Sequence, residues 1–105
     1  MAQRILATSD TNAINAGSQV SFSLQAKHFR GGKKPVISVK GLGNGETVSF
    51  WKWIVDTWEE VATEAGVQVS FTPTRASDVF NGPGVYGYTK SITVAPITLT
   101  LDDGL

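Results

Sequence analysis

The stretch SQVSFSLQAKH, residues 18–28, sets Val20, Phe22, Leu24 and Ala26 at every second position, with Gln19, Ser21, Ser23, Gln25 and Lys27 between them. Successive side chains of a strand point to opposite faces, so this period gives one apolar face and one wet face. On a helix the same residues would be scattered around the whole surface. The pattern recurs in GVQVSFTPT, where Val67, Val69 and Phe71 alternate with polar residues, and in PVISVKGL, where Ile37 and Val39 share a face. In VYGYTKS, Tyr86 and Tyr88 share a face with Gly87 between them. Turn residues separate these runs: Asn44-Gly45 suits positive φ, and Pro83-Gly84 a tight reversal. Short alternating strands at regular spacing predict an all-β fold, a small antiparallel β-sandwich of Ig-like or jelly-roll-like form.

A chain of 105 residues is one domain. The sandwich is expected over 19–105, preceded by an extended N-terminal arm over 1–18 that is small and polar apart from Ile5 and Leu6. The last strand is expected in ITVAPITLTLD. There Ile92 and Val94 hold one phase and Ile97, Leu99 and Leu101 the other, with a bulge or edge position at Ala95-Pro96 because proline cannot donate to a ladder.

All three tryptophans fall in SFWKWIVDTWEEV, residues 49–61. Two structures fit it. Trp51, Ile54, Val55, Trp58, Val61, Ala62 and Ala65 follow helical spacing, and Gly66 could end a short helix at 57–65. Alternatively TVSFWKWIV is a strand, dense in β-branched and aromatic residues, with Trp51 and Trp53 on one side and Val48, Phe50 and Ile54 on the other. Asp56-Thr57 would then be the turn and WEEVA the returning strand. The flanking segments are strands, which favours the hairpin.

Chemistry is sparsely provided for. Without cysteine there is no disulfide, thiolate metal site or cysteine nucleophile. The lone histidine, His28, is expected as a surface residue at a strand end, and no nucleophile elbow, phosphate loop or His pair at metal spacing occurs. Neither a catalytic residue, a metal site nor a cofactor is therefore expected. No run approaches the roughly 18 apolar residues of a membrane span, and MAQRILATSD lacks the apolar core of a signal peptide. The expectation is a chain made in the cytoplasm, without a membrane partner.

Net charge is zero but divided. Up to residue 45 there are six Lys/Arg and one acid; from residue 46 there are three Lys/Arg and eight acids. The basic residues concentrate in Lys27, Arg30, Lys33 and Lys34, the acidic ones in Asp56, Glu59, Glu60 and Glu64. Solvated faces account for such a division; so do complementary patches that orient docking. Lys27, Arg30, Lys33 and Lys34 beside aromatics could also guide a single strand of nucleic acid, but a neutral chain is a poor candidate for that.

From residue 36 to 101 the chain resembles small bacteriophage virion proteins, the compact β-sandwich modules that decorate or cement capsids or form accessory fibres. The resemblance rests on VISVKGLGNGETVSF, DTWEEV, GVQVSFTP and VFNGPGVYGYTKSITVAPITLTLD. DTW lacks the glycine usual in that hairpin, which keeps the helix open. The resemblance implies no catalysis, many copies on a shell, and a homo-oligomer, with a trimer favoured. The partners it implies are a major capsid protein or another virion protein, and the place is the virion, after synthesis in the host cytoplasm. Contact residues expected on this reading are Arg4, Ile5 and Leu6 in the arm, Arg30, Lys33 and Lys34 in the basic turn, and the aromatics Trp51, Trp53, Tyr86 and Tyr88, since aromatics and arginine anchor interfaces. The alternative is a carbohydrate-binding or host-adhesion module that stacks sugar rings on those aromatics.

Overall fold

The computed structural model describes residues 3–32, 35–62, 68–80 and 82–102. Within them are β1 (Gln3–Ser9), β2 (Val20–Leu24), β3 (Val36–Lys40), β4 (Val48–Ile54), β5 (Thr57–Glu60), β6 (Ser70–Phe71), β7 (Ser77–Val79), β8 (Gly84–Lys90) and β9 (Ile97–Asp102), with 3-10 turns over Ala26–Gly32. One sheet has the order β1-β9-β3-β7 and the other β2-β8-β4-β5, with β6 also on β4. Every pairing is antiparallel. The fold is an all-β sandwich.

β5 and β6 are two halves of one outer strand. β5 pairs with Trp51–Ile54 of β4 and β6 with Val48 and Ser49. Phe50 sits at the junction: its carbonyl accepts the Val61 N–H at 3.1 Å and its own N–H donates to the Val69 carbonyl at 3.0 Å. Counted so, the strands nest as a long hairpin rolled on itself. β1 pairs with β9, β2 with β8, β3 with β7 and β4 with β5/β6, and the β9–β3 and β8–β4 pairings close the two sheets. That is the strand order of a jelly roll, which decides between the two expected sandwich forms.

The inner faces follow the alternation in the sequence. Phe22 and Leu24, Ile37 and Val39, Val48 and Phe50, Tyr86 and Tyr88, and Ile97, Leu99 and Leu101 are all buried. Phe22 is central: its ring stacks on Tyr86 at 5.9 Å and meets Phe50 edge-on at 6.3 Å. Phe71 and Phe80 complete this cluster against Phe50, at 4.6 and 5.2 Å. Gly45 takes φ 79° in the turn before β4, as Asn44-Gly45 requires.

Four expectations change. Residues 3–9 are not a separate arm but an edge strand of the sandwich, with a bulge between Ile5 and Ala7 that lets Leu6 pack against the core. The sandwich thus begins at Gln3, and of the expected arm residues 10–19 are the link from β1 to β2. β2 ends at Leu24, because Ala26–Gly32 coils into 3-10 turns. His28 is buried there, and its Nδ1 accepts the Gln25 N–H at 2.9 Å while its own N–H donates to the Gln25 carbonyl at 3.0 Å. The final strand starts only at Ile97; Ser91–Pro96 is the crossover between sheets, so the change of phase marks a loop rather than a bulge. Ile92 and Val94 are accordingly exposed.

Candidate docking surface

The tryptophan stretch is a hairpin. Its turn is Val55-Asp56, one residue before the expected place, so Ile54 faces Thr57 and Trp53 faces Trp58. The short-helix alternative fails over 57–62, which is extended; 63–65 lie outside the described residues. A two-residue hairpin turn needs positive φ, and Val55 supplies it at 58° despite its branched side chain.

This register decides which aromatics are outside. Val48 and Phe50 point into the core, so Trp51 and Trp53 point out, and Trp58 and Glu60, directly across from them, share that outer face. The outer residues of β8 are Val85, Gly87 and Thr89. The Trp51 Nε1–H donates to the Thr89 hydroxyl at 3.2 Å. Trp53 and Trp58 meet edge to face, with centroids 5.1 Å apart and planes at 72°.

Gly87 explains how so large a group lies flat on a sheet. A Cβ there would stand 2.8 Å from Trp58 Cη2 and 2.9 Å from Gln19 Cβ. The missing side chain is a slot, and the Trp58 ring reaches across β4 to fill it. Trp51 and Trp58 become half-buried, while Trp53 stays 41% exposed. Apolar exposure continues to the end of the hairpin through Ile54, Val55 and Val85. Glu60 borders it on the β5 edge, Glu59 points to the other side of that edge and Asp56 sits in the turn, all exposed. Lys52, across from Glu59, offsets them in part, with Nζ 5.3 Å from the Tyr86 ring centre.

The other expected contact residues lie elsewhere. Tyr86 and Tyr88 are core residues, 2% and 0% exposed, because the alternation of β8 turns them inward. The Tyr86 hydroxyl donates to the Gly82 carbonyl at 2.7 Å, and Tyr88 shares a hydrogen bond with Ser9. Burial pushes both phenols above the usual tyrosine range, the Ser9 bond partly opposing this at Tyr88. Neither can anchor a partner or a sugar. Arg4 and Ile5 belong to β1, in the other sheet; Ile5 is 70% exposed and Leu6 partly buried. Arg30 and Lys27 are exposed on the 3-10 turns after β2, the far edge of the tryptophan sheet, so the basic residues and tryptophans do not form one groove. Lys33 and Lys34 lie outside the described residues. Trp58, Val85 and Gly87 were not among the expected contact residues. Placing the turn one residue earlier would have paired Trp58 with Trp53.

At the opposite end of the sandwich a buried lysine ties two loops together. Lys90 Nζ donates to the Asn12 carbonyl at 2.6 Å, the Ser91 carbonyl at 3.0 Å and the Thr93 hydroxyl at 3.2 Å. Buried Glu46 accepts the Gly43 and Val94 amides at 2.6 and 3.0 Å. These groups are saturated by the loops they join, which marks a structural tie. Among the described residues no three His, Cys, Asp or Glu side chains gather as a metal site, and no helix is long and apolar enough to cross a membrane. No known protein family, curated protein or solved structure matches this chain.

Proposed function

We propose that the chain is a non-enzymatic structural module of a bacteriophage virion, which stabilises the head by docking on a major capsid or other virion protein and on copies of itself. One observation carries the reading: a jelly roll fills its core with phenylalanine and tyrosine and turns its three tryptophans outward, onto one face of one sheet. Jelly rolls serve as viral capsid modules and as lectins; this is an argument from architecture, and the tryptophan face supplies the site-level support. Aromatic anchors beside an apolar hairpin tip, bordered by charge, are what a protein interface uses. Many such contacts on one shell would add by avidity.

The test is particle composition. Purified virions from the genome that encodes the chain should contain it in many copies, and shells stripped of it should rebind added protein. Its absence from particles would end this reading. A carbohydrate-binding module is the second reading, favoured by the exposed face of Trp53. Against it, Trp53 and Trp58 are steeply inclined and do not make a flat platform. Binding on a glycan array that is lost in Trp53→Ala would establish it in place of the first.

A further inference from the structure

We propose that copies of this chain associate head to tail, the basic turn carrying Lys27 and Arg30 of one copy docking on the tryptophan face and acidic edge of the next. The proposal develops the self-docking part of the virion reading and needs no shell.

The two surfaces lie at opposite edges of one sheet. In the order β2-β8-β4-β5, the basic turn leaves β2 and the acidic edge is β5, three strand spacings away, or about 14 Å. One molecule can therefore give with one edge and receive with the other, which is the geometry of a heterologous contact, a ring where the rotation closes and a filament where it does not. The levels also agree. Leu24 pairs with Gly84 and Lys52 with Tyr86, so the 3-10 turns and the Val55-Asp56 turn project from the same end of the sheet. Rotation about an axis parallel to the strands brings one copy's basic turn beside the next copy's hairpin.

The chemistry is complementary in two respects. Among the described residues Asp56, Glu59 and Glu60 outnumber Lys52 on the receiving side, while Lys27 and Arg30 are exposed on the donating side. Trp53 on the outer face and Val55 in the turn offer apolar surface at the end of the hairpin that carries those acids. A guanidinium can pair with a carboxylate and lie over an indole face at once, and indole is the best aromatic partner for a cation. A basic turn suits this surface better than a second apolar patch would.

The experiment uses the purified full chain. Mass in solution is measured by light scattering and sedimentation for the wild type, Glu59→Lys/Glu60→Lys, Lys27→Glu/Arg30→Glu and the variant carrying all four changes. Circular dichroism and melting confirm that each folds. The wild type should be an oligomer that dissociates in 1 M salt, where screening acts within about 3 Å. Each double variant should be a monomer, and the fourfold variant, its charges exchanged but still opposite, should associate again. A monomeric wild type, an oligomer indifferent to both double variants, or a fourfold variant that stays monomeric each overturns the proposal. Rebinding to stripped shells is measured separately. An oligomer that ignores shells keeps this proposal and removes the virion reading; a shell-binding monomer does the reverse.

Discussion

Replacing Gly87 with alanine tests whether the tryptophan face is a built structure. The added methyl would stand 2.8 and 3.0 Å from Trp58 Cη2 and Cζ3 and 2.9 Å from Gln19 Cβ. Carbon atoms rest about 3.5–4.0 Å apart, so roughly 1 Å of room must be found. Gln19 cannot give it cheaply, because its Cβ is held by the backbone. The far end of the Trp58 ring can, by lifting off the sheet. Lifting uncovers about a third of a side chain of roughly 200 Å², which costs about 1.5 kcal/mol at 25 cal/mol per Å². It also disturbs the edge-to-face contact with Trp53, an arrangement worth about 0.5–1.5 kcal/mol. Alanine recovers about 0.5–1 kcal/mol of the entropy that glycine loses in a strand. These terms give a net loss of about 1–2.5 kcal/mol, or roughly 5–12 °C in melting temperature for a domain of this size, and the backbone-held Gln19 contact adds to it. Urea unfolding followed by circular dichroism gives the stability, and tryptophan emission should shift to the red in the folded state. Ser21→Ala, a residue paired with Gly87 in the β2–β8 register, is the control and should change little. Unchanged emission with an unchanged or raised melting temperature in Gly87→Ala would refute the slot.

The remaining predictions probe the core, the turn, the phenols and the exposed ring. Phe22→Ala should destabilise by about 3–5 kcal/mol in urea melts, since its ring sits among Phe50, Tyr86 and Phe80; a loss under about 1 kcal/mol would mean that β2 is out of phase. Val55→Asn should stabilise by about 1 kcal/mol, because a branched residue at φ 58° is strained and asparagine tolerates the left-handed region; equal or lower stability would remove the strain argument. Burial raises the Tyr86 and Tyr88 pKa, so their stabilising contribution is whole below the unfolded value near 10 and is lost as pH rises above it through the folded values. The melting temperature should fall above about pH 10, less steeply in Tyr88→Phe, and an unchanged pH slope in that variant would count against the assignment. Trp53→Ala should cost about 1–3 kcal/mol in stability, its ring being 41% exposed and set edge to face against Trp58, and leave the chain folded, yet abolish association; full association in the variant would remove Trp53 from the docking surface.

The strands legible in the sequence are those with one face in the core. Burial imposes period two on Phe22 and Leu24, on Ile37 and Val39 and on Val69 and Phe71, and all six are buried. The tyrosines of β8 show the limit: their shared face was visible, but alternation alone does not say which face is inside. The first strand was illegible for another reason. β1 is an edge with a bulge at Leu6, so the apolar pair Ile5-Leu6 has no period, and its strand character comes from pairing with β9. The end of β2 was lost because Ala26 and Lys27 continue the alternation by chance into a turn closed by the His28 imidazole. The strand order was beyond any local pattern, since pairings such as β1 with β9 join opposite ends of the chain.

The tryptophan face follows from a division of labour between the two sides of β4. The space between packed sheets is about 10 Å deep, and it is filled by Phe22, Phe50, Phe71, Phe80 and the two tyrosines. Tryptophans at inward positions would overfill it. On the outer face the sheet instead arranges them against one another, Trp58 in the Gly87 slot and Trp51 hydrogen-bonded to Thr89. That arrangement shelters two rings and leaves the third, Trp53, beside Ile54 and Val55 at the tip. Exposed apolar residues scattered singly are ordinary on a protein surface; a tryptophan held in place by two half-buried ones is less so. Fixing Trp53 in advance lowers the ordering cost of binding, because the rotamer is already chosen before a partner arrives. The same geometry that makes the tryptophans poor core residues therefore preorganises the face on which the proposed docking rests.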